Sequence, residues 1–260
     1  MNQYFLLQIE NLNNPKSEER LNSLRVLKNA IDKGDIQKPL FFNDVNNHIH
    51  TNYSFSPYSP TKALFMAYMN GLKTAGIMDH DSAAGCEEFI QAGAILDMPI
   101  TCGIEVRVRM DKTELNGIRI NNPDQDSVAY VALHGIPHQH IKTIQDFMAP
   151  YREARNIRNQ MMCNKINDLF GKYDIFIDFE KDVLPLSLYQ QGGSVTERHI
   201  SYALALKMID HFHKGKALVS FYKQTLKLPL SEKNENLLSD ENNPVYEFDL
   251  LGAIKSDLIS

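Results

Sequence analysis

Cysteine is scarce in this chain of 260 residues. Its three cysteines, Cys86, Cys102 and Cys163, are odd in number and widely spaced. Neither a disulfide framework nor a Cys-x-x-Cys pair can be drawn from them, which points away from a small disulfide-stabilised secreted domain. The sequence therefore predicts a reducing, cytoplasmic location.

Long hydrophobic runs are missing as well. The apolar stretch YFLL at residues 4–7 has no basic segment before it and is too short for the apolar part of a signal peptide. No run approaches the roughly 18 apolar residues of a membrane-spanning helix. We therefore expect neither a leader segment nor a membrane partner.

Excess positive charge is the third absence. The formal net charge is −5, so no extended nucleic-acid surface is expected, although a local pocket for one phosphate group is compatible with it. The hydrophobic content of 43% is that of an ordinary globular protein, and the length suffices for one large domain or two small ones.

Strands and helices alternate along the first half of the chain. Residues 1–43 read as an N-terminal helical extension, in which Ser17 can cap a helix and Gly34 can end it. Ser59 and Pro60 fit the start of a later helix. The strand–helix–strand rhythm predicts an α/β fold with parallel strands joined by crossover helices. The expected strands are residues 44–50, 76–80, 99–110 and 127–135, and the expected helices between them are residues 61–76 and 82–98.

The second half is more helical. Residues 140–173 and 196–215 carry helical patterns, and we interpret the region of about 138–215 as a helical insertion. The expected domains are thus the extension, 1–43, and one α/β domain, 44–260, that contains this insertion.

Metal-ligating residue types stand at the ends of successive strands. The first strand carries His48 and His50, and residues two apart on a strand point to the same side. The later strands add Asp79, His80 and Asp81 in MDHD, Glu105 in GIEV and His134 in ALHG. The carboxyl ends of parallel strands converge, and imidazole with carboxylate suits Zn, Fe or Mn. Asp79 and Asp81 are candidates for orienting a ligating histidine.

These segments resemble the PHP family, named for polymerase and histidinol phosphatase. NHIHTNYSFSP, GLKTAGIMDHDSAAG and CGIEVRV resemble the family's H-x-H-T-x-x-S-D, T-D-H-D and G-x-E motifs. GGSVTERHISYAL resembles the R-P-H-I-A helix start of a branch that cleaves nucleotide and oligonucleotide phosphates. The resemblance covers residues 45–106 and 194–205.

The resemblance implies a distorted, TIM-like (β/α) barrel of seven strands with two or three divalent ions, Mn, Zn or Fe. It also implies a phosphoesterase that hydrolyses a small phosphomonoester, a nucleotide or an oligonucleotide end with a metal-activated water. No protein nucleophile is implied. The metal-ligand positions would be His48, His50, His80, Glu105, His134 and His199. Apart from the resemblance, Arg198 beside His199 is a candidate for contacting a substrate phosphate, because arginine forms bidentate pairs with phosphate oxygens.

The chain also departs from the family pattern. Phe55 stands where the family has an aspartate, and the C-terminal D-x-H motif has no counterpart after Glu105. In a strict register Tyr130, rather than His134, would take the place of the family's fourth-strand histidine. Either the barrel continues in a longer product or the fold closes differently.

Alternative interpretations stay open on the sequence alone. His48 and His50 can be a half-buried pair without a metal, Glu105 can pair with Arg107 or Arg109, and His199 and Arg198 can be surface residues. At the level of function, a PHP-like binding or regulatory module without activity is the main rival. An amidohydrolase acting on a C–N bond is the third possibility. The sequence does not predict an oligomeric state.

Overall fold

Two helices open the chain in this computed structural model, which describes residues 2–122 and 125–259. They are α1 (Gln3–Asn11) and α2 (Ser17–Lys33). Ser17 is the first helical residue of α2, and the capping position belongs to Lys16, which makes no side-chain capping bond. Gly34 ends α2 as predicted, with a φ of 84° that glycine adopts without a Cβ penalty. The helix buries Leu21, Leu24, Leu27 and Ile31, apolar residues that recur every three or four positions.

The helix α3 (Pro60–Met69) begins where the sequence predicts. The Ser59 side chain accepts a hydrogen bond from the Lys62 backbone N–H, and Pro60 occupies the first turn. The helix is shorter than the predicted range, residues 61–76, because the chain turns at Gly71. A Cβ at Gly71 would clash with the carbonyl oxygen of Leu40, so only glycine fits this turn.

A four-stranded sheet forms the centre of the first half. Its order is β1-β2-β3-β4, and β1–β2 and β2–β3 are parallel. The helices α3 and α4 (Cys86–Leu96) provide the two crossovers, so the predicted parallel α/β arrangement is confirmed for these three strands. The strand bounds are β1 (Val45–Ile49), β2 (Thr74–His80), β3 (Ile100–Arg109) and β4 (Val128–His134).

The expectation of a parallel fourth strand is wrong. β4 runs antiparallel to β3, with Val128 opposite Arg109 and His134 opposite Gly103. The polar connection between them has no helix in its described residues, 110–122 and 125–127. A parallel return needs a crossover, commonly a helix, whereas a hairpin-like return does not. The closure of a seven-stranded barrel stays a prediction.

The first hydrophobic core joins the N-terminal helices to the sheet layer. Leu24 and Leu27 of α2 belong to the same buried cluster as Phe65 of α3 and Phe89 of α4. A buried ion pair adds to this packing: Arg20 of α2 binds Glu88 of α4, which also accepts hydrogen bonds from the Thr61 N–H (3.1 Å) and hydroxyl (2.6 Å).

The chain divides into two compact units. The first comprises Met1–Arg152 and Leu188–Ser194, and the second comprises Glu153–Ser187 and Val195–Ser260. The predicted domain bounds stay predictions. Both long helices expected in the second half are present, as α5 (Ile141–Phe170) and α6 (Glu197–Phe212). The remaining α-helices are α7 (Lys216–Ser220), α8 (Glu232–Ser239) and α9 (Tyr246–Ile254). Within the described residues, every helix is too short or too polar to cross a membrane.

Candidate metal centre

Four of the predicted ligand residues meet at the carboxyl ends of β1–β3. His48 lies on β1 and His50 directly follows this strand. His80 is the last residue of β2, and Glu105 lies opposite it on β3 in the parallel register. Paired residues of neighbouring strands point to the same face of a sheet, so the register itself places His80 beside Glu105.

Three imidazole rings surround the carboxylate of Glu105. Nδ1 of His80 lies 2.9 Å from Oε2, Nε2 of His48 lies 3.5 Å from Oε1, and Nε2 of His50 lies 3.7 Å from Oε2. The rings of His50 and His80 stack with centroids 4.6 Å apart. Ligand atoms of His48, His50 and Glu105 all lie within 4.8 Å of one another, a spacing that one divalent ion could bridge.

The cluster is open to solvent on the histidine side. The side chains of His48, His50 and His80 are 43%, 31% and 27% exposed, whereas that of Glu105 is 16% exposed. The hydrogen bond from His80 lowers the pKa of Glu105 against the effect of its burial, and the nearby imidazoles add to the lowering. The site therefore holds a carboxylate that favours its charged form beside accessible imidazoles.

The two arginines of β3 bind outside this cluster. Arg107 donates to Gln125 at 2.7 Å, and Arg109 donates to Asp111 at 2.6 Å. The contacts that the structure gives the Glu105 side chain are with the histidines. This favours the interpretation of the cluster as a cation site over an ion pair of Glu105 with either arginine.

Asp79 is buried, and its carboxylate anchors the loop that follows β1. One of its oxygens accepts hydrogen bonds from the Thr51 N–H and the Ser54 hydroxyl, and the other accepts from the Thr51 hydroxyl, each at 2.6 Å. Burial raises the pKa of Asp79, and these three bonds oppose the rise. Ser54 Oγ also lies 3.4 Å from Nδ1 of His50, so a hydroxyl stands between Asp79 and the imidazole.

Asp81 is buried and adopts a φ of 52° directly after His80. Its N–H donates to the Glu105 carbonyl at 2.9 Å, which extends the pairing of β2 with β3 by one residue. Its carbonyl accepts from the Arg152 guanidinium at 3.1 Å. The backbone that follows His80 is therefore held at both the N–H and the carbonyl of Asp81, and the buried guanidinium of Arg152 lies against that carbonyl.

Tyr130, rather than His134, is the residue of β4 that approaches the cluster. Because β4 is antiparallel, Ala132 lies opposite Glu105, and His134 lies two residues away, opposite Gly103. His134 is exposed. The ring of Tyr130 lies 6.0 Å from that of His80. The structure thus favours the strict register noted in the sequence, and the ligand role of His134 stays a prediction.

His199 and Arg198 belong to the second unit. His199 is buried in the first turn of α6, and its Nδ1 accepts the Thr196 N–H at 3.0 Å. Burial lowers the pKa of His199 to about 4. Arg198 is exposed. Their roles toward a metal and a phosphate stay predictions.

Phe55 adopts a φ of 83° in the loop after β1, a left-handed conformation that is uncommon for a bulky residue. The family's aspartate is replaced here by a side chain without a ligand atom. At this position the loop can contribute packing but no carboxylate.

Sequence reasoning missed Ser54, Thr51 and Arg152 as parts of the site. Ser54 and Thr51 stand close to His50 in the chain, but nothing in the sequence shows that Asp79 lies beneath them. Arg152 is separated from Asp81 by seventy-one positions. Nothing in the sequence distinguishes Arg152 from the other charged residues of α5, most of which are expected to face solvent.

Comparisons with known proteins return no matching family model and no matching curated relative. Among solved structures, a Bifidobacterium adolescentis protein described as a metal-dependent phosphoesterase matches 84% of this chain and 65% of its own, with 19% identity and a TM-score of 0.46.

A second match is an amidohydrolase from Chromobacterium violaceum, solved with bound sulfate and no metal. It matches 68% of this chain and 54% of its own, with 17% identity and a TM-score of 0.48. This chain thus spans less than two thirds of the length of either protein. At these values neither likeness identifies a family or an activity.

Proposed function

We propose that this protein is a metal-dependent phosphoesterase of PHP type, which hydrolyses a small phosphomonoester, a nucleotide or an oligonucleotide end. The observation that carries the proposal is the convergence of His48, His50 and His80 on the carboxylate of Glu105. The proposal includes a TIM-like barrel of seven strands, of which the parallel strands β1–β3 would form one part, and a cytoplasmic location.

The residues present fit a divalent cation. Neutral imidazole and carboxylate are the donors that Zn, Mn and Fe accept, and the histidines are accessible from solvent. The two oxygens of Glu105 face different imidazoles, Oε1 towards His48 and Oε2 towards His50 and His80. A carboxylate placed in this way is suited to holding two ions, and His199 is a further ligand candidate by resemblance.

Bound divalent ions would lower the pKa of a water molecule and neutralise charge on phosphoryl oxygens. The chain's own residues would hold the ions and restrict their position. Asp79 and Asp81 are both buried, and through the loop after β1 and the backbone after β2 they would keep His50 and His80 in place. Tyr130 would cover one side of His80.

The surroundings of Arg152 are a second argument for an anionic substrate. It is 7% exposed, and its guanidinium donates to two carbonyl oxygens, those of Asp81 and Gln145. Among the described residues, no carboxylate forms an ion pair with it. Burial lowers the pKa of Arg152, yet a guanidinium keeps its proton at neutral pH. Burying this cation is costly, the nearby carboxylates of Asp81 and Asp146 offset part of the cost, and a phosphate group nearby would offset more of it.

The second candidate is a PHP-like binding or regulatory module. Phe55 favours it, because that position supplies no carboxylate. Such a protein would hold one metal or none and would hydrolyse no phosphate ester.

The first experiment is elemental analysis of protein purified without chelators or added metal. Wild type should contain two or more equivalents of Mn, Fe or Zn, and His48→Ala/His50→Ala should lose them. The matched control is His211→Ala/His213→Ala, which changes two histidines of the second unit and should leave the metal content unchanged.

A phosphate-ester screen then separates the two candidates. The enzyme should hydrolyse p-nitrophenyl phosphate, a nucleotide or a 5′-phosphorylated oligonucleotide, and the double variant should not. Metal bound by the cluster with no turnover of these substrates would favour the module. Less than about half an equivalent of metal, unaltered in the double variant, would overturn both the enzyme and the metal site.

A further inference from the structure

The guanidinium of Arg152 is held through one of its three nitrogens. Nη1 donates to the carbonyl oxygens of Asp81 (3.1 Å) and Gln145 (3.3 Å). A guanidinium carries five N–H donors on Nε, Nη1 and Nη2 in a rigid plane. Within the described residues, Nε and Nη2 of Arg152 donate to no acceptor. One edge of the guanidinium, formed by these two nitrogens, therefore has no partner in this part of the chain.

The same edge keeps contact with solvent. Arg152 is 7% exposed, so more than nine tenths of the residue is buried. Within the described residues, no nitrogen of Arg152 belongs to the side-chain atoms that are both fully buried and without a hydrogen bond. Because Nε and Nη2 have no bond, this means that they are not sealed from water. A small anion can therefore reach them.

The backbone that holds Nη1 is itself anchored. The N–H of Asp81 donates to the Glu105 carbonyl at 2.9 Å. The side chain of Gln145 accepts from the Ala83 N–H at 2.8 Å and donates to the Gly192 carbonyl at 2.6 Å. The direction of the guanidinium is thus set before any ligand arrives, which reduces the entropy that binding would cost.

Two carboxylates lie near this cation without occupying its edge. Burial, the larger effect, lowers the pKa of Arg152, and Asp81 and Asp146 act against it electrostatically. Asp146 forms an ion pair with Lys142 at 2.8 Å. Because these carboxylates weaken the attraction for an anion, net charge alone does not select a phosphate here. The selective feature is the planar pair of donors, which matches two oxygens of one phosphate group.

The edge belongs to the end of the sheet that carries the histidine cluster. Asp81 directly follows His80, the last residue of β2. In parallel α/β sheets, ligands bind at the carboxyl ends of the strands. A guanidinium attached to the backbone one residue beyond a candidate metal ligand therefore lies at the end of the sheet where a substrate is expected.

We propose that Arg152 binds the phosphate group of the substrate in bidentate fashion, through Nε and Nη2. The inference rests on the proposed function for the identity of the substrate. The phosphate site itself needs no metal, because the guanidinium and its anchors all belong to the chain. Gln145 is a positioning residue of this site, and Arg152 is the residue that contacts the ligand.

The test is a titration of metal-free wild type with inorganic phosphate. Protein labelled with ¹⁵N in its arginine side chains, in chelator and at slightly acidic pH, is examined by ¹H–¹⁵N correlation of the Nε–H groups. The Arg152 signal is identified by its loss in Arg152→Lys, or by through-bond correlation in wild type if that variant does not fold. It should shift saturably with phosphate and should not move with chloride at the same ionic strength.

Arg109 provides the internal control. Its side chain is 79% exposed, and its Nε already donates to Asp111 at 2.6 Å. The Arg109 signal should not respond saturably to phosphate. An Arg152 signal that ignores phosphate, or that moves only as the Arg109 signal does, would overturn the inference.

A second measurement compares melting temperatures in phosphate and in chloride. A ligand that binds the folded state raises its Tm. Phosphate should raise the Tm of metal-free wild type, and Arg152→Lys should lose this increase, because an ammonium group cannot form the bidentate pair. Arg109→Lys should keep it. An increase that is the same in all three proteins would contradict the site.

Kinetics separate this inference from the proposed function. With metal bound, Arg152→Lys should raise the KM for p-nitrophenyl phosphate by about tenfold or more, with kcat changed by less than about threefold. A fall in kcat with an unchanged KM would contradict a binding role. Turnover in a protein whose Arg152 signal ignores phosphate would overturn this inference alone. A phosphate-dependent Arg152 signal without turnover of any phosphate ester would overturn the proposed function and leave the anion site standing.

Discussion

Two carboxylates, one in each compact unit, show how a similar charge can serve different ends. Glu105 in the first unit lies among three imidazoles. Glu197 in the second unit lies against two guanidinium groups, with Arg158 at 2.6 Å and Arg155 at 3.8 Å. Nitrogen atoms flank both carboxylates, but imidazole and guanidinium nitrogens differ in whether they can also bind a metal ion.

The difference lies in the lone pairs. A guanidinium stays protonated and has no lone pair to offer, so the Arg–Glu cluster has its cations built in. Imidazole, in its neutral form, has a nitrogen lone pair, so the His–Glu cluster can ligate a cation. We therefore interpret Glu197 as part of a structural ion pair and Glu105 as a candidate metal ligand.

The largest expected effect is on metal affinity in Glu105→Gln. Removing the carboxylate removes the anionic ligand, so affinity for Zn²⁺ or Mn²⁺ should fall by about a hundredfold or more, beyond the effect of changing a residue that only supports a ligand. In chelator, the free energy of unfolding should change by less than about 1 kcal/mol, because the side chain is partly exposed and its loss leaves no buried cation. Chelator competition and urea unfolding measure the two quantities.

Glu87→Gln, an exposed glutamate of α4, is the control for that comparison. It should alter neither quantity. A Glu105→Gln variant that keeps its metal but loses several kcal/mol of stability would reverse the assignment and make Glu105 the structural residue.

The second prediction concerns stability in Glu197→Gln. Arg155 and Arg158 would each lose an ion pair, and the Arg155 side chain is only 10% exposed, so breaking these pairs is expensive. We expect the free energy of unfolding at neutral pH to fall by about 2–4 kcal/mol. The exposed Glu180→Gln, in the same unit, should cost less than about 0.5 kcal/mol.

The difference in the free energy of unfolding between wild type and Glu197→Gln should also depend on pH. Burial opposes the charged form of Glu197, but Arg155 and Arg158 outweigh it and hold its pKa at about 2, against an ordinary 4.5. A lowered pKa stabilises the folded state above the ordinary value and loses that effect as the pH falls towards the folded value. The gap between wild type and Glu197→Gln should therefore shrink from pH 4.5 down to about 2, as measured by urea unfolding in chelator. A gap that stays constant would exclude the ion pair as its source.

The sequence predicts the His–Glu cluster because local patterns determine most of it. The i, i+2 spacing puts His48 and His50 on one side of β1, and the parallel β1–β3 segment follows from its crossover helices. The features that the sequence does not predict depend on contacts between residues that are far apart in the chain. The direction of β4 depends on a connection whose described residues, 110–122 and 125–127, form no helix. The place of Asp79 beside Thr51 and Ser54 depends on how β2 packs against the loop after β1.

The smallest expected effect is in His134→Ala, and it tests the correction to the fold. In a parallel fourth strand this histidine would have stood with the others, but in the antiparallel register it is exposed opposite Gly103. Its replacement should change the free energy of unfolding by less than about 0.5 kcal/mol. The metal content should also remain within error of wild type, whereas His80→Ala should lose metal.

Elemental analysis of both variants decides between the two registers. His80 contacts Glu105 at 2.9 Å and stacks on His50, so its loss removes a side of the cluster. Loss of metal in His134→Ala would mean that β4 meets the cluster through its carboxyl end. Tyr130→Phe would in that case be uninformative about the site. In the observed register the ring of Tyr130 lies beside His80, so Tyr130→Ala should weaken metal binding modestly.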